Sequence, residues 1–246
     1  MSILGTEIEL LLRPRADGIR SAMNLLLTRR RRMEQQCTAN RNALSALVRQ
    51  ADLGLDTHRA LTDQQITEIS AWRGRRSDRI NQCIARQEAT ELAIDILRAS
   101  ARLKDNKSQL AELSEELAPG FQEQPGLGPV TSGIILVSYS HHGRFRSEAA
   151  FASMSGAAFA SMSGAAPLQA SSGNVTRHRL NRHGDRQLNM ALDIVVKNRM
   201  IHDQTTKEYV DRRTAEGLSY REIKRVLKRY LARSMFRQLE KIFTLT

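Results

Sequence analysis

The stretch PLQASSGNVTRHRLNRHGDRQLNMAL, from Pro167 to Leu192, sets Ser171 and Ser172 directly before Gly173. Six basic or imidazole side chains follow within ten positions: Arg177, His178, Arg179, Arg182, His183 and Arg186. A serine hydroxyl is a weak nucleophile near neutral pH and needs an activating base or a stabilised transition state. Guanidinium groups grip the non-bridging oxygens of a phosphate and hold charge that develops on them. His178 or His183 can move protons. Spacing alone leaves two readings open: a serine that attacks a phosphodiester held by arginines, or a basic turn that grips phosphate and does no chemistry.

A second stretch, PGLGPVTSG, carries Gly126, Gly128 and Thr131. Two glycines one residue apart, between a helix end and a helix start, allow a tight turn. Such a turn can aim backbone N–H groups and a helix dipole at a phosphate. The pattern resembles the hairpin of helix-hairpin-helix DNA-binding proteins; its plainer reading is a Gly/Pro linker. In HHGRFRS, the adjacent His141 and His142 have no cysteine or carboxylate cluster near them in sequence, so no metal site is expected.

These segments need elements to hold them. Ile19, Met23, Leu26, Arg30, Met33, Cys37, Asn40, Leu44 and Leu47 alternate steps of four and three. Ala85, Ala89, Leu92, Ile96, Ala99, Leu103, Asn106, Leu110, Leu113 and Leu117 do the same. This heptad spacing predicts two long coiled-coil helices, paired within one chain or between two chains of a homo-oligomer, with Asn106 setting register. Of the four arginines 29–32, Arg30 falls on the seam. Thr62 or Asp63 is placed to cap a short helix that ends near Trp72. The segment APGFQEQPGLGPVTSG breaks the helical pattern and marks a boundary between residues 1–120, a helical coiled-coil region, and residues 121–246. The second region reads as helical throughout: PVTSGIILVSY, then about Asp185 to His202, then a last helix. That last helix is capped by Ser219 with Glu222 completing a capping box. Its apolar face is Ile223, Val226, Leu227, Tyr230, Leu231, Met235, Leu239 and Ile242. Arg221, Lys224, Arg225, Lys228, Arg229 and Arg233 are expected on the opposite, open face. The octapeptide AAFASMSG occurs at Ala149–Gly156 and again, unchanged, at Ala157–Gly164, as a tandem duplication would leave it.

The chain of 246 residues has a net charge of +12, and that charge is uneven. Met1–Gly120 holds 19 Lys and Arg against 16 Asp and Glu, whereas Phe121–Thr246 holds 19 against 10. The basic surface therefore belongs mainly to the second region and calls for a polyanionic partner, nucleic acid before membrane. Aromatic content of 4% argues against a large aromatic core or a base-stacking platform. Cys37 and Cys83 form no CxxC pattern and read as small apolar residues of a reduced, cytoplasmic protein. No apolar run approaches the ~20 residues of a membrane-spanning helix, and the acidic residues in MSILGTEIELLLRPR make a poor signal peptide.

Taken in order, PGLGPVTSGIIL, FRSEAAFASMSGAAFASMSGAAPLQASSGNVTRHRLNRHGDRQLNMAL and HDQTTKEYVDRRTAEGLSYREIKRVLKRYLAR resemble the C-terminal part of IS-one-ten-type insertion-sequence transposases, relatives of the Piv and MooV DNA invertases. The resemblance runs from about Pro125 to Phe236. The helices from about Arg15 to Ala118 are similar to the family's connecting coiled coil. It implies a mainly α transposase domain with a helix-hairpin-helix-like start, acting on DNA with a structured guide RNA. It also implies an N-terminal RuvC-like domain whose acidic quartet uses magnesium, and a serine that links covalently to DNA. Carried over, the nucleophile falls in SSG, with Ser172 first and Ser171 second. Gly126, Gly128, Thr131, Arg177, His178, Arg179, Arg182 and Arg186 become DNA contacts. No stretch of this sequence matches the acidic domain, so the expectation is a truncated transposase that carries no cofactor of its own and is inactive alone.

Overall fold

The computed structural model describes residues 18–51, 53–55, 60–154, 167–169, 178–180 and 185–244. The protein is mainly α. Helix α1 spans Ile19–Ala51, α2 Asp63–Ser70, α3 Ile80–Leu117, α4 Pro129–Tyr139, α5 Glu148–Met154, α6 Arg186–His202, α7 Gln204–Ala215 and α8 Tyr220–Thr244. A 3-10 turn covers Phe121–Glu123, and two three-residue strands, β1 (Pro167–Gln169) and β2 (His178–Leu180), pair antiparallel. The described residues fall into two compact units, one being Leu26–Gln109 and the other the residues on either side of it.

In the Leu26–Gln109 unit, the heptad positions explain the packing. Every seam residue there, from Leu26 to Leu47 and from Ala85 to Asn106, is buried or half-buried. The two seams meet each other. Asn106 Nδ2 donates to the Leu26 carbonyl at 3.1 Å, and Arg30 Nη1 donates to the Leu103 carbonyl at 3.1 Å. At the other end, Leu44 and Val48 share a core with Ala85, Ala89, Ala93 and Ile96, so α1 and α3 run antiparallel. Of the two pairings the spacing allowed, the structure contains the one within a single chain. Arg30 lies on the seam while Arg29, Arg31 and Arg32 are exposed. Arg30 and Asn106 are tolerated on the seam because each places a donor on a backbone carbonyl. Helix α2 is set by a capping box: the Gln65 N–H donates to Thr62 Oγ1 and the Thr62 N–H to Gln65 Oε1. Its Ile66 and Ile69 complete the core. Cys37 is half-buried, whereas Cys83 is exposed and so does not act as a core residue.

In the other unit, α6 is the central helix. It packs against α4, α7 and α8 through Leu188, Ala191, Leu192, Val195 and Val196, and α5 packs on α8. Helix α8 is capped as its sequence predicts, the Ser219 N–H donating to Glu222 Oε2 at 2.9 Å. Ile223, Leu231, Met235 and Leu239 are buried, but Tyr230 remains 53% exposed. The low aromatic content does not prevent an aromatic cluster, because the few rings are concentrated. Tyr139, Phe145, Phe151, Phe236 and Phe243 contact one another at centroid distances of 5.2–6.5 Å. Tyr139 Oη donates to Glu240 Oε1. Burial, and then the carboxylate beside it, hold the Tyr139 hydroxyl far above the usual tyrosine range.

Candidate nucleic-acid interface

The glycine turn precedes α4. Gly126 sits at φ +80, a left-handed conformation that favours glycine. A Cβ there would lie 3.0 Å from the Val195 carbonyl oxygen of α6 and 3.3 Å from Arg199 Cγ. Arg199 Nε donates to the Pro125 carbonyl at 2.7 Å. The turn is thus pressed against α6, and Gly126 has a packing reason that its spacing did not disclose. Gly128 is the N-cap of α4, at φ −130 with open space around it. Its N–H donates to Thr131 Oγ1 at 2.9 Å, while the Leu127 N–H donates to the Gln124 carbonyl at 3.0 Å. Two of the turn's amides are therefore spent internally. No side chain caps the remaining first-turn N–H groups of α4. Thr131 itself is buried.

A second junction is built around Asp185, which caps α6. Asp185 Oδ1 accepts from the Gln187 and Leu188 N–H groups at 2.8 and 3.1 Å. Its Oδ2 accepts from Ser138 Oγ of α4 at 2.7 Å, and its N–H donates to the Met154 carbonyl at the end of α5, at 3.0 Å. The residues on either side of the segment 155–184 are therefore joined by one hydrogen bond. Within that segment β1 and β2 pair in the register Pro167↔Leu180, Leu168↔Arg179 and Gln169↔His178. The eight residues joining the strands, 170–177, contain Ser171, Ser172 and Arg177. Those three, with Arg182 and His183, lie outside the described residues, and of His178 and Arg179 only the backbone pairing is described. Arg186, the first residue of α6, is exposed. Asp185 was missed as an organising residue. Its signal was present, an aspartate directly before a helical run.

The basic face of α8 differs from its expected form. Lys224 and Lys228 do not stand open. Their ammonium groups lie 3.1 and 3.5 Å from Asp193 Oδ1, and Lys197 approaches the same carboxylate at 3.0 Å. Lys228 is 8% exposed and also donates to Asn189 Oδ1. Burial pulls its ammonium below the usual lysine range, with Asp193 opposing that shift. Burial raises the Asp193 carboxyl, but the hydrogen bonds from Lys197 and Lys224 and the charge of Lys228 outweigh it, and the net position is below the usual aspartate value. Arg233 and Arg237 face Glu148 of α5 at 3.8 and 3.2 Å. Arg221 and Arg225, with Arg186 and Arg212, are left as exposed cations. His142 Nδ1 pairs with Glu240 at 2.7 Å. Among the described residues, no three His, Cys, Asp or Glu side chains come together as a metal site. Among them, too, no helix is long and apolar enough to cross a membrane.

Against this geometry, residues 119–211 match the model of the Transposase IS116/IS110/IS902 family. The match supports a C-terminal domain of the IS110 transposase type over these residues. The match begins at the end of α3 and takes in the glycine turn, the segment with both serines, α6 and most of α7. No curated protein matches the chain.

Proposed function

We propose that this chain serves DNA transposition, with Ser172 as the attacking residue and Ser171 as the second candidate. The observation that carries the reading is the family match, which spans both serines and the basic run after them. In the proposed step, Ser172 Oγ forms a bond to a backbone phosphorus while a phosphorus–oxygen bond of the DNA breaks. The serine proton passes to a base, and the departing DNA oxygen leaves as a hydroxyl. Arg177, Arg179, Arg182 and Arg186 hold the phosphate, and His178 or His183 carries protons. Gly126, Gly128 and Thr131 bring α4 toward the DNA backbone. Residues 1–120 act as the helical, oligomerising region and residues 121–246 as the transposase domain, in the cytoplasm, with a structured RNA as a further partner. The acidic, magnesium-using part of the reaction belongs to a RuvC-like domain of the kind the resemblance implies, and residues 1–246 without it leave DNA unjoined.

Protein–DNA adducts, trapped with and without an acidic domain supplied in trans, test this. The expected result is an adduct only with that domain, lost in Ser172→Ala and kept in Ser171→Ala. The reverse pattern moves the nucleophile by one residue. An adduct formed by the chain alone refutes its dependence on the acidic domain. No adduct in any arm refutes the catalytic role and leaves a nucleic-acid-binding module.

A further inference from the structure

The segment WRGRRSDR, Trp72–Arg79, joins α2 to α3 in the Leu26–Gln109 unit, outside the residues that match the family. It holds the only tryptophan of the chain. Arg73, Arg75, Arg76 and Arg79 are all exposed. The one acidic residue of the segment does not neutralise them. Asp78 is bound to Arg86 of α3 by two hydrogen bonds, at 2.8 and 3.2 Å, with the side chains 7% and 5% exposed. That pair fixes the Arg86 guanidinium 5.0 Å from the centroid of the Trp72 ring. The half-buried indole also packs against the core of this unit, which holds it in place. Beside it lies a cleft of about 300 Å³, lined by Trp72, Arg73, Gly74, Cys83, Arg86, Gln87, Thr90 and Glu91.

The cleft is mixed in chemistry. Its wall is an aromatic ring with a locked guanidinium plane, a surface on which a base can stack. Also lining it are an exposed amide, Gln87, and an exposed carboxylate, Glu91, which suit the amino and carbonyl groups of a base edge and repel a phosphate. Arg73 lines the cleft, and Arg75, Arg76 and Arg79 are exposed on the same short segment, a concentration of guanidinium groups that suits phosphates. We propose that this cleft holds an unpaired base of a single-stranded nucleic acid, whose backbone runs over Arg73, Arg75, Arg76 and Arg79. A duplex does not fit this description, because its bases are already stacked and paired. The inference does not rest on the transposase reading and stands or falls separately.

Because Trp72 is the only indole, intrinsic tryptophan fluorescence of the full chain reports on this site alone. The probes are oligo(dT) and oligo(U) of about 16 nucleotides, the upper end of common single-strand footprints, and a duplex of equal length. Binding is followed in parallel by anisotropy of an end label. A saturable change in tryptophan emission is expected with a single strand and not with the duplex. A preference for oligo(U) assigns the natural ligand to RNA through the 2′-hydroxyl, and equal response assigns the site to single strands in general. Removing three arginines together, in Arg73→Ala/Arg75→Ala/Arg76→Ala, should flatten the slope of log affinity against log salt by about 2, at about 0.7 per phosphate contact. Trp72→Leu should weaken single-strand binding by about 5- to 150-fold, the range of one lost base stack. Should Trp72→Leu fail to fold, the triple variant decides alone, since its three side chains are exposed. Saturated single-strand binding without an emission change, equal emission changes with duplex, no binding, or an unchanged salt slope in the triple variant each overturns the proposal.

Discussion

Replacing Gly126 and Gly128 one at a time separates the fold from the interface. At Gly126, alanine meets two penalties. The left-handed conformation at φ +80 costs a residue with a Cβ about 1–2 kcal/mol. The new methyl also lies 3.0 Å from the Val195 carbonyl oxygen, which is helix backbone and cannot swing aside. Overpacking of this kind costs about 1–3 kcal/mol. Lower entropy of the unfolded chain returns about 0.4–1 kcal/mol, so Gly126→Ala should destabilise by about 2–4 kcal/mol. At Gly128 the backbone is ordinary for any residue and nothing lies within 4 Å of the added methyl. Loss of a favourable N-cap and gain from the unfolded state nearly cancel there, leaving a change within about 1 kcal/mol. The assay is urea unfolding followed by far-UV circular dichroism. With a slope near 2 kcal/mol/M, the Gly126→Ala midpoint should fall by about 1–2 M. Trp72 lies in the other unit, so its emission should follow that unit instead. Equal midpoints for wild type and Gly126→Ala would refute the packing argument. So would a Gly128→Ala protein as unstable as Gly126→Ala.

Asp185→Ala removes a helix cap and the acceptor of Ser138 Oγ at once, and should destabilise by about 1–3 kcal/mol in the same titration; Asp185→Asn, which keeps an acceptor, should recover most of that loss. Asp193→Asn leaves Lys197, Lys224 and Lys228 without their shared carboxylate and should lower stability at pH 7. The Asp193 carboxyl titrates below its usual value in the folded state, so its contribution is complete above the ordinary value of 3.8 and is lost as pH falls through the lowered one. The gap between wild type and Asp193→Asn should therefore close in acid, and a gap that widens there would refute the ion-pair reading.

Elements whose cause is local were legible in the sequence. The α1 and α3 seams follow from steps of three and four, and both appear at the expected residues. Thr62 with Gln65 and Ser219 with Glu222 announce their helices because a cap and its partner are three residues apart. What escaped depends on residues far apart in the chain. Lys228 lies on the expected polar side of α8 by periodicity, and only Asp193 and Asn189 on α6 make its burial possible. Gly126 reads as a turn residue until Val195 is found against it. The aromatic cluster gathers rings from Tyr139 to Phe243, a span over which composition says nothing about proximity. Trp72 passed as the end of a short helix because Arg86, which stacks on it, sits fourteen positions later. Of the candidate site, the arrangement around Gly126, Gly128, Thr131 and Arg186 is now placed, while Ser171 and Ser172 fall outside the described residues.

The duplicated octapeptide gives one eight-residue sequence two different starting contexts. Both copies carry the same AAFASMSG, yet α5 is made by the first, whose Phe151 fills the aromatic cluster. The residues ahead of each copy differ. Ser147 precedes the first, its Oγ accepting from the Ala150 N–H, and Glu148 follows as the first helical residue with Arg233 and Arg237 at its carboxylate. The second copy is preceded by Ser155 and Gly156, so it repeats the serine but replaces the glutamate with glycine. A glycine there forfeits the acidic side chain that favours a helix start and adds about 1 kcal/mol of backbone cost. By sequence alone, the residue before the second copy therefore favours a helix start less than Glu148 does before the first.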